Sequence, residues 1–535
     1  MAVKRSFVLC GLLCGMLLFA LMGCASGDDF EPRNPIVYGL TLQPSGFDPH
    51  VHASAELGIV LRQVYDTLVY RHPQTNEIVP GLATGWTISD DGLVYTFMLR
   101  EGVTFHDGTP FNAQAVAANL DRIIAPETGS QRARFMLGPY SGHNVLDTYI
   151  IQITLSERFV PLLDSLSQVY LGMASPTAFN EYSPTRYQFH QVGTGPYRFI
   201  KFTPGDEIIL RRNEAYTWGP EFYDLELENT VDQITYRFFT DAATRATAIE
   251  NGEAHIMGEI PPAFALTLAG TDAELLPVEV PGLPLQFMMN TARPPTDDLL
   301  VRQALIHATN RPLIVDTVYR GFSPVAWGPL SRATLHYSRA VEGTYPYDVD
   351  IARASLEAAG FEYVSGVGFV QGEDDAEPLE IIVLVPPWGG LPDVAQLMQA
   401  QWREIGVNAR LVQVSGLSAL RERVESGDYH LVAFDSAGFD PYVMNSFYAS
   451  DGANNFTNYQ NPRLDAALIT AVQELSPETR RVAYAEIQQF IMGQALILPI
   501  RDYINLNATV PTIDRLMFDS YGWFPLMHNV ANVAD

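Results

Sequence analysis

Cysteine and lysine are nearly missing from this chain, and each shortage closes off chemistry. Three cysteines occur among 535 residues, Cys10, Cys14 and Cys24, all close to the start. Everything after Cys24 lacks a thiol, which excludes an internal disulfide, a cysteine nucleophile and a cysteine-ligated metal from the body of the protein. Lys4 and Lys201 are the only lysines. A lysine-based phosphate loop or a Schiff-base enzyme therefore has almost nothing to work with. A GxSxG elbow, an HExxH zinc motif and a dinucleotide fingerprint are absent as well. The 11 histidines are scattered. His50 and His52 stand two apart, and none forms the i, i+4 pair or the cysteine–histidine spacing of a metal site, so neither a metal nor another cofactor is expected. Acidic residues are abundant, 61 against 33 basic ones. Without Lys4 and Arg5, which lie in a segment expected to be removed, 31 basic residues remain. Such a body is repelled by nucleic-acid phosphates and anionic lipid headgroups, and its charge serves solubility without identifying a partner. A glycosidase-like carboxylate pair can always be picked out of so many acids, so a secreted hydrolase stays a remote alternative.

The beginning of the chain is its most specific local feature. Lys4 and Arg5 precede a near-continuous apolar run from Phe7 to Met22, followed by Gly23 and Cys24. A charged start, an apolar stretch of this length and a small-residue junction read as a secretory signal. The tetrapeptide Leu21–Cys24 resembles a bacterial lipobox, which implies cleavage before Cys24 and a diacylglycerol on its thiol. The competing reading is an uncleaved anchor, since the run approaches the roughly 20 residues that span a bilayer. Residues 1–23 are thus expected to be a signal peptide and 24–35 a tether, with the body held at the membrane by lipid alone in an extracytoplasmic compartment.

Beyond the tether, strand and helix patterns alternate. Strands rich in β-branched and aromatic residues are predicted over Ile36–Leu42, Val94–Leu99, Tyr149–Leu155, Gln233–Phe239, Glu380–Val385 and Tyr429–Phe434. After Asn112, the apolar residues Val116, Leu120, Ile123 and Ile124 share one helical face. Asp350 is placed to cap a helix that stops at Gly360, and Ser476 with Pro477 to open another. One pattern recurs. Ala243–Met257 and Ala419–Phe434 both read helix, glycine, acidic residue, short strand, with His255 and His430 three residues past the glycine. The arrangement is either the commonplace helix–glycine–strand of any α/β protein or the mark of two lobes built on similar units. Alternating helices and strands argue for α/β layers.

Between Pro80 and Ala117 the chain reads PGLATGWTISDDGLVYTFMLREGVTFHDGTPFNAQAVA. Asp90–Asp91–Gly92 makes a turn into a strand with alternating Val94, Thr96 and Met98, and His106–Asp107–Gly108 makes a second turn before the helix capped by Asn112. This stretch resembles the signature region of the family 5 solute-binding proteins, the large extracytoplasmic proteins that serve peptide and nickel importers. Further strings follow in the family's order: FDPH from Phe47, GTGPYRF from Gly193, RNEAYTWG from Arg212 and DPYVMNSFYAS from Asp440. The resemblance covers nearly the whole body. It implies a bilobal, periplasmic-binding-protein-like fold of type II with an extra domain inserted in the first lobe. Lobe one would comprise 36–71, 193–286 and 498–535, the insertion 72–192 and lobe two 287–497. It also implies a monomer that encloses a small ligand by hinge closure and delivers it to the permease subunits of an ABC importer, without catalysis. A sensor or chaperone on the same fold is the alternative role.

In peptide-binding relatives, pocket residues come from the loop after a lobe-two strand and from the segment before the DP motif. The resemblance therefore points to Trp388, within PPWGG, and to Phe434 and Asp435, within AFDSAGFDP. Tyr140 is a further aromatic candidate. Trp388 would be a stacking wall or else a plug between helix and sheet. Many peptide binders hold an aspartate where this chain has Ala437, and pair it with the peptide's ammonium group. Asp435 could act instead from two residues back, with a different side-chain direction; otherwise the departure implies a ligand without that charge, a glycan, opine or metal chelate being alternatives to a peptide. Asp440, before Pro441, reads as a turn-former.

Overall fold

The computed structural model describes residues 31–44, 46–52, 54–371 and 377–533. The expected signal peptide, the lipidation residue Cys24 and most of the tether lie outside them. Among the described residues no helix is long and apolar enough to cross a membrane.

Ten strands carry the architecture: β1 (Pro35–Leu40), β2 (Gln233–Phe238), β3 (Ile256–Met257), β4 (Glu274–Glu279), β5 (Gly282–Met289), β6 (Glu380–Val385), β7 (Asn408–Gln413), β8 (Leu431–Ala437), β9 (Ile497–Arg501) and β10 (Ile504–Thr509). Alternation decides which face of each is covered. In β1, Ile36, Tyr38 and Leu40 share one face and are buried, as period-2 geometry requires. The strands form two sheets. One runs β4-β10-β3-β1-β2 and continues through two antiparallel strands, Glu207–Arg212 and Tyr197–Thr203. The other runs β7-β6-β8-β5-β9.

Both sheets have the same internal order. β1 lies parallel between β2 and β3, and β6 lies parallel between β7 and β8. Each then accepts one antiparallel strand from a distant part of the chain, β10 beside β3 and β5 beside β8. Parallel neighbours need crossover connections, and the sequence supplies helices for them. Ala242–Glu250 precedes β3, Leu391–Ile405 joins β6 to β7, and Leu417–Glu425 precedes β8.

The chain passes between the sheets at Val280–Pro281, from β4 to β5, and again at Asp502–Tyr503, from β9 to β10. The two crossings run side by side, and the Val280 amide donates to the Tyr503 carbonyl at 3.0 Å. Strands β5 and β9 belong whole to the five-stranded sheet, so a division at 286/287 or 497/498 would cut through a strand.

The recurring helix–glycine–strand pattern is one structural unit used twice. Gly252 and Gly427 both adopt φ of +70°, the left-handed conformation glycine reaches without cost. Three residues on, the His255 amide donates to the Val37 carbonyl while its ring Nδ1 accepts from the Val37 amide, at 2.8 and 3.0 Å. His430 does the same to Ile382, at 2.9 and 2.8 Å. Each histidine thus ties the edge of its parallel strand to the start of the neighbouring one.

A four-stranded antiparallel sheet stands between β1 and β2 in the chain, built from Ala83–Ile88, Val94–Leu99, Ile150–Leu155 and Tyr140–Asp147. Tyr95, Phe97 and Leu99 are buried along it, leaving Val94, Thr96 and Met98 on the outer face. The helix Ala113–Ile124 covers the sheet with Val116, Leu120 and Ile123, and the Asn112 side chain caps it by accepting from the Ala115 amide at 3.0 Å. Its core is continuous with that under the seven-stranded sheet. One capping expectation is corrected. Asp348, not Asp350, caps the helix Val349–Ala358, because residue 348 takes the extended conformation that lets its carboxylate reach the Asp350 and Ile351 amides.

Candidate functional site

Four strand ends converge where the two sheets face each other. β3 leads into Gly258 and Glu259, β6 into Trp388 and Gly389, β8 ends through Asp435, and β9 ends on Arg501. For β3, β6 and β8 these are carboxyl ends of strands with a parallel neighbour, the place where open α/β sheets bind ligands, and β9 joins them from an antiparallel pairing with β5. Glu259, Trp388, Gly389, Asp435 and Arg501, together with Leu285, Leu391, Tyr503 and Trp523, line a cavity of 280 Å³.

Arg501 is the centre of the cavity's electrostatics. It is 5% exposed. Its guanidinium is sandwiched, 3.9 Å from the Tyr319 ring centre and 4.3 Å from that of Tyr503. Nη1 donates to the Ser323 hydroxyl at 3.0 Å, while Nε is buried and unpaired. Stacking between two aromatic faces holds the planar group without consuming its N–H donors. Asp435 faces it from β8, half-buried. Burial raises the Asp435 pKa, the charge of Arg501 opposes that rise, and Glu259 reinforces it.

Glu259 comes from the other sheet. Its φ of +50° is an uncommon conformation for a residue with a Cβ, and such positions cluster at functional sites. The Thr41 hydroxyl lies 2.6 Å from one Glu259 oxygen and 3.2 Å from a Glu56 oxygen. Behind Glu259 and Trp523 lies a smaller recess bordered by Asn505 and Asn507. Both carboxamide nitrogens are spent on backbone carbonyls, of Gly522 and Asn505, and both side-chain oxygens are buried without a partner.

Trp388 and Asp435 therefore meet in one cavity. Trp388 is half-buried, with part of its surface against the core of the five-stranded sheet and part on the cavity. Phe434 points to the other side of β8, where its ring packs 5.4 Å from both Phe447 and Phe456. Tyr140 sits on the four-stranded sheet with its hydroxyl 2.6 Å from His143 Nδ1, and does not line this cavity. Asp440 forms a buried bidentate pair with Arg480, at 2.7 and 2.8 Å, and caps the turn that follows by accepting from the Tyr442 amide. His50 is held in the body: Nε2 meets the Gly172 carbonyl and Nδ1 the Arg122 guanidinium.

Sequence reasoning missed Arg501, Tyr503, Trp523 and Glu259. A signal for Arg501 was present, since an arginine directly after the apolar run Ile497–Ile500 breaks the pattern of a buried strand. Glu259 and Trp523 lie far from any motif, and only folding brings them together.

Two larger hollows exist, of 560 and 450 Å³. Around the first, Arg158 donates to the Asp91 carbonyl, Gln473 to Glu157, and Phe135 stacks on Tyr442, while the Ser130 hydroxyl and the Asn445 side-chain oxygen are buried without a partner. The 280 Å³ cavity is smaller, but its unpaired polar groups and aromatic walls are what a small-ligand site requires.

The family described as bacterial extracellular solute-binding proteins, family 5 Middle, matches residues 77–458. A glutathione-binding protein, GsiB, of Salmonella typhimurium is 29% identical over 431 residues, 78% of this chain and 79% of the relative. Heme-binding protein A of Haemophilus influenzae is 27% identical over 518 residues, 92% of this chain and 91% of the relative. NikA of Brucella suis, solved in complex with Fe(III)-EDTA, superposes with a TM-score of 0.81 at 23% identity, covering 93% of this chain and 99% of that one. The type II binding-protein fold is common to this chain and that structure.

Proposed function

The chain belongs to the bacterial extracellular solute-binding proteins, family 5, and we propose that it captures one small solute, peptide or peptide-like, between its two sheets for an ABC importer. The observation that carries this reading is the cavity between Glu259, from the seven-stranded sheet, and Asp435 and Arg501, from the five-stranded one. A solute there touches both halves at once. Because the halves are joined by two short, mutually hydrogen-bonded crossings, a ligand that contacts both favours the closed arrangement by its differential affinity. The four-stranded sheet is then the domain inserted in the first lobe, and the two crossings are the hinge. Capture requires no bond to be made or broken, so the role is not enzymatic. A diacylglycerol on Cys24 would tether a monomer outside the cytoplasm, within reach of the permease subunits.

Relatives' ligands support a compact organic solute, glutathione in one and heme in another by their names. Native mass spectrometry of freshly purified protein tests the reading directly. A small-molecule adduct that leaves on denaturation is expected, and adding it back should change the fluorescence of Trp388 and Trp523. Absence of any adduct, with no saturable binding of peptides or peptide-like solutes, would count against capture at this site.

A further inference from the structure

Acceptor oxygens from distant parts of the chain meet in the small recess behind Glu259. Register puts Tyr38 of β1 beside Ile256 of β3, and Ile256 beside Thr509 of β10. Tyr38, Gly258, Asn505 and Asn507 therefore share one face of three adjacent strands. Asn505 and Asn507 are 3% and 0% exposed, and their side-chain oxygens have no partner. Asn507 Oδ1 is aimed into the space above Gly258: a Cβ at that residue would meet it at 3.4 Å and the Tyr38 hydroxyl at 3.9 Å. Two carboxylates, Glu56 and Glu259, border the same recess. The Thr41 hydroxyl stands between them, and its one hydrogen serves one of them at a time. Among the described residues no Arg, Lys or His nitrogen lies within 4.0 Å of either carboxylate. Arg245 feels the charge of Glu259, but its Nη1 donates to the Phe239 and Thr240 carbonyls. Arg501 lines the larger cavity and not this recess.

Buried acceptors beside two negative charges are costly unless positive charge reaches them. The recess has a volume of about 10 Å³, room for one atom-sized guest. A single water brings two hydrogens and no charge, so it leaves the carboxylates' repulsion in place. A hard cation answers both needs. Calcium takes about six to eight oxygens, mixing carboxylate and carbonyl ligands in flexible geometry, whereas magnesium demands a tight octahedron and gives up its water reluctantly. Among the described residues no histidine or cysteine borders the recess, so a softer metal finds no ligand of its own there.

We propose that this recess binds one calcium ion, held by the Glu56 and Glu259 carboxylates and the side-chain oxygens of Asn505 and Asn507. Glu56 comes from the helix Ala55–Leu61 after β1, Glu259 from the end of β3, and the two asparagines from β10. The five-stranded sheet contributes nothing to the recess, so the site is complete without closure and does not depend on solute capture. Its ligands lie far apart in the chain, which is why histidine and cysteine spacing gives no sign of it. Because Glu259 also lines the solute cavity, a bound ion fixes one wall of that cavity.

The test frees the full-length protein of metal with EDTA and titrates it with calcium chloride by calorimetry and thermal unfolding. Magnesium chloride at equal concentration is the control, because any divalent ion screens a net charge of -28. One saturable calcium site is expected, with a Kd on the order of 1 mM or tighter, and a rise in melting temperature that magnesium does not match. Glu56→Gln should weaken calcium binding about tenfold or more, since ligand charge sets affinity. Gly258→Ala should abolish it by filling the recess. The added Cβ makes only ordinary contacts and the Gly258 backbone is not left-handed, so this variant should melt like the unaltered protein without calcium. Equal effects of magnesium and calcium, or calcium binding unchanged in both variants, would overturn the proposal. So would the lack of saturable calcium binding by the unaltered protein, a measurement that needs no substitution. Solute capture stands in each of these cases.

Discussion

Single side chains in this protein divide into those that hold the scaffold and those that line the cavity between the sheets, and chemistry tells them apart. Asp440 is of the first kind. Its removal would leave Arg480 buried and unpaired, so Asp440→Ala should lower unfolding free energy by about 3–5 kcal/mol in urea at pH 7, with solute affinity per folded molecule unchanged. Asp502 sits at a crossing, 5% exposed, with one oxygen accepting from the Arg332 amide and the other unpaired. Burial pushes its pKa up to about 7. Between the ordinary carboxylate range and that value the folded state holds a proton that the unfolded chain has released. Stability from this residue is therefore present at low pH and falls as pH rises toward 7. Asp502→Asn should melt at a higher temperature than the unaltered protein at pH 8 and at nearly the same temperature at pH 4. Trp388 is of the second kind. Trp388→Ala should weaken solute binding about tenfold or more, as loss of an aromatic anchor does, and calorimetry would show it. The turn role of Asp440 was legible because Asp-Pro has local consequences. Its buried partner Arg480 was not, since nothing local links residues 40 apart in sequence.

Among the elements, the two helix–glycine–strand units were visible as a string but not as a device. The sequence showed a histidine three residues past each glycine. Only the parallel pairing of β3 with β1, and of β8 with β6, revealed that each ring accepts from the neighbouring strand's amide. With Nδ1 accepting, the proton of the neutral His430 ring sits on Nε2, which lies 2.9 Å from the Pro294 carbonyl and 3.0 Å from Arg293 Nε. Burial lowers the His430 pKa to about 4, with the nearby Arg293 acting in the same direction. His430→Ala should cost about 1–3 kcal/mol at pH 7 through the orphaned Ile382 amide. The deficit should narrow as pH falls from about 6.5 toward 4, because there the unaltered chain gains a proton on unfolding and loses stability. Urea unfolding at pH 7 and pH 4.5 would measure both. The signature hairpin and its helix were fully legible, because turn residues, alternation and an Asn cap are all local signals.

At the scale of the whole molecule, two sheets that share one five-strand order each take up a strand arriving from the other, and the paired crossings follow from it. A solute in the cavity bridges them, so binding should stabilise the protein by mass action. At a concentration about 100 times its dissociation constant, the recovered solute should raise unfolding free energy by about 2.7 kcal/mol. Small-angle scattering should show a smaller radius of gyration on closure. No rise in melting temperature and no compaction would separate the cavity from the hinge. The bilobal type II fold was expected through ordered motifs along the chain. The positions of the crossings were not, since strands β5 and β9 read as ordinary apolar runs and nothing in them announces which sheet they join.

The amino-acid sequence by itself determined the alternation of elements, most of their caps and turns, the family, and the absence of thiols and scarcity of lysine after Cys24, because each of these rests on residue type and short-range spacing. Tertiary structure alone decided that Glu259, Arg501, Tyr503 and Trp523 join Asp435 and Trp388 around one cavity. Glu259, Asp435, Arg501 and Trp523 are brought together by strand order and by two crossings, and the free energy of that meeting is carried by long-range pairing and burial that no local pattern encodes.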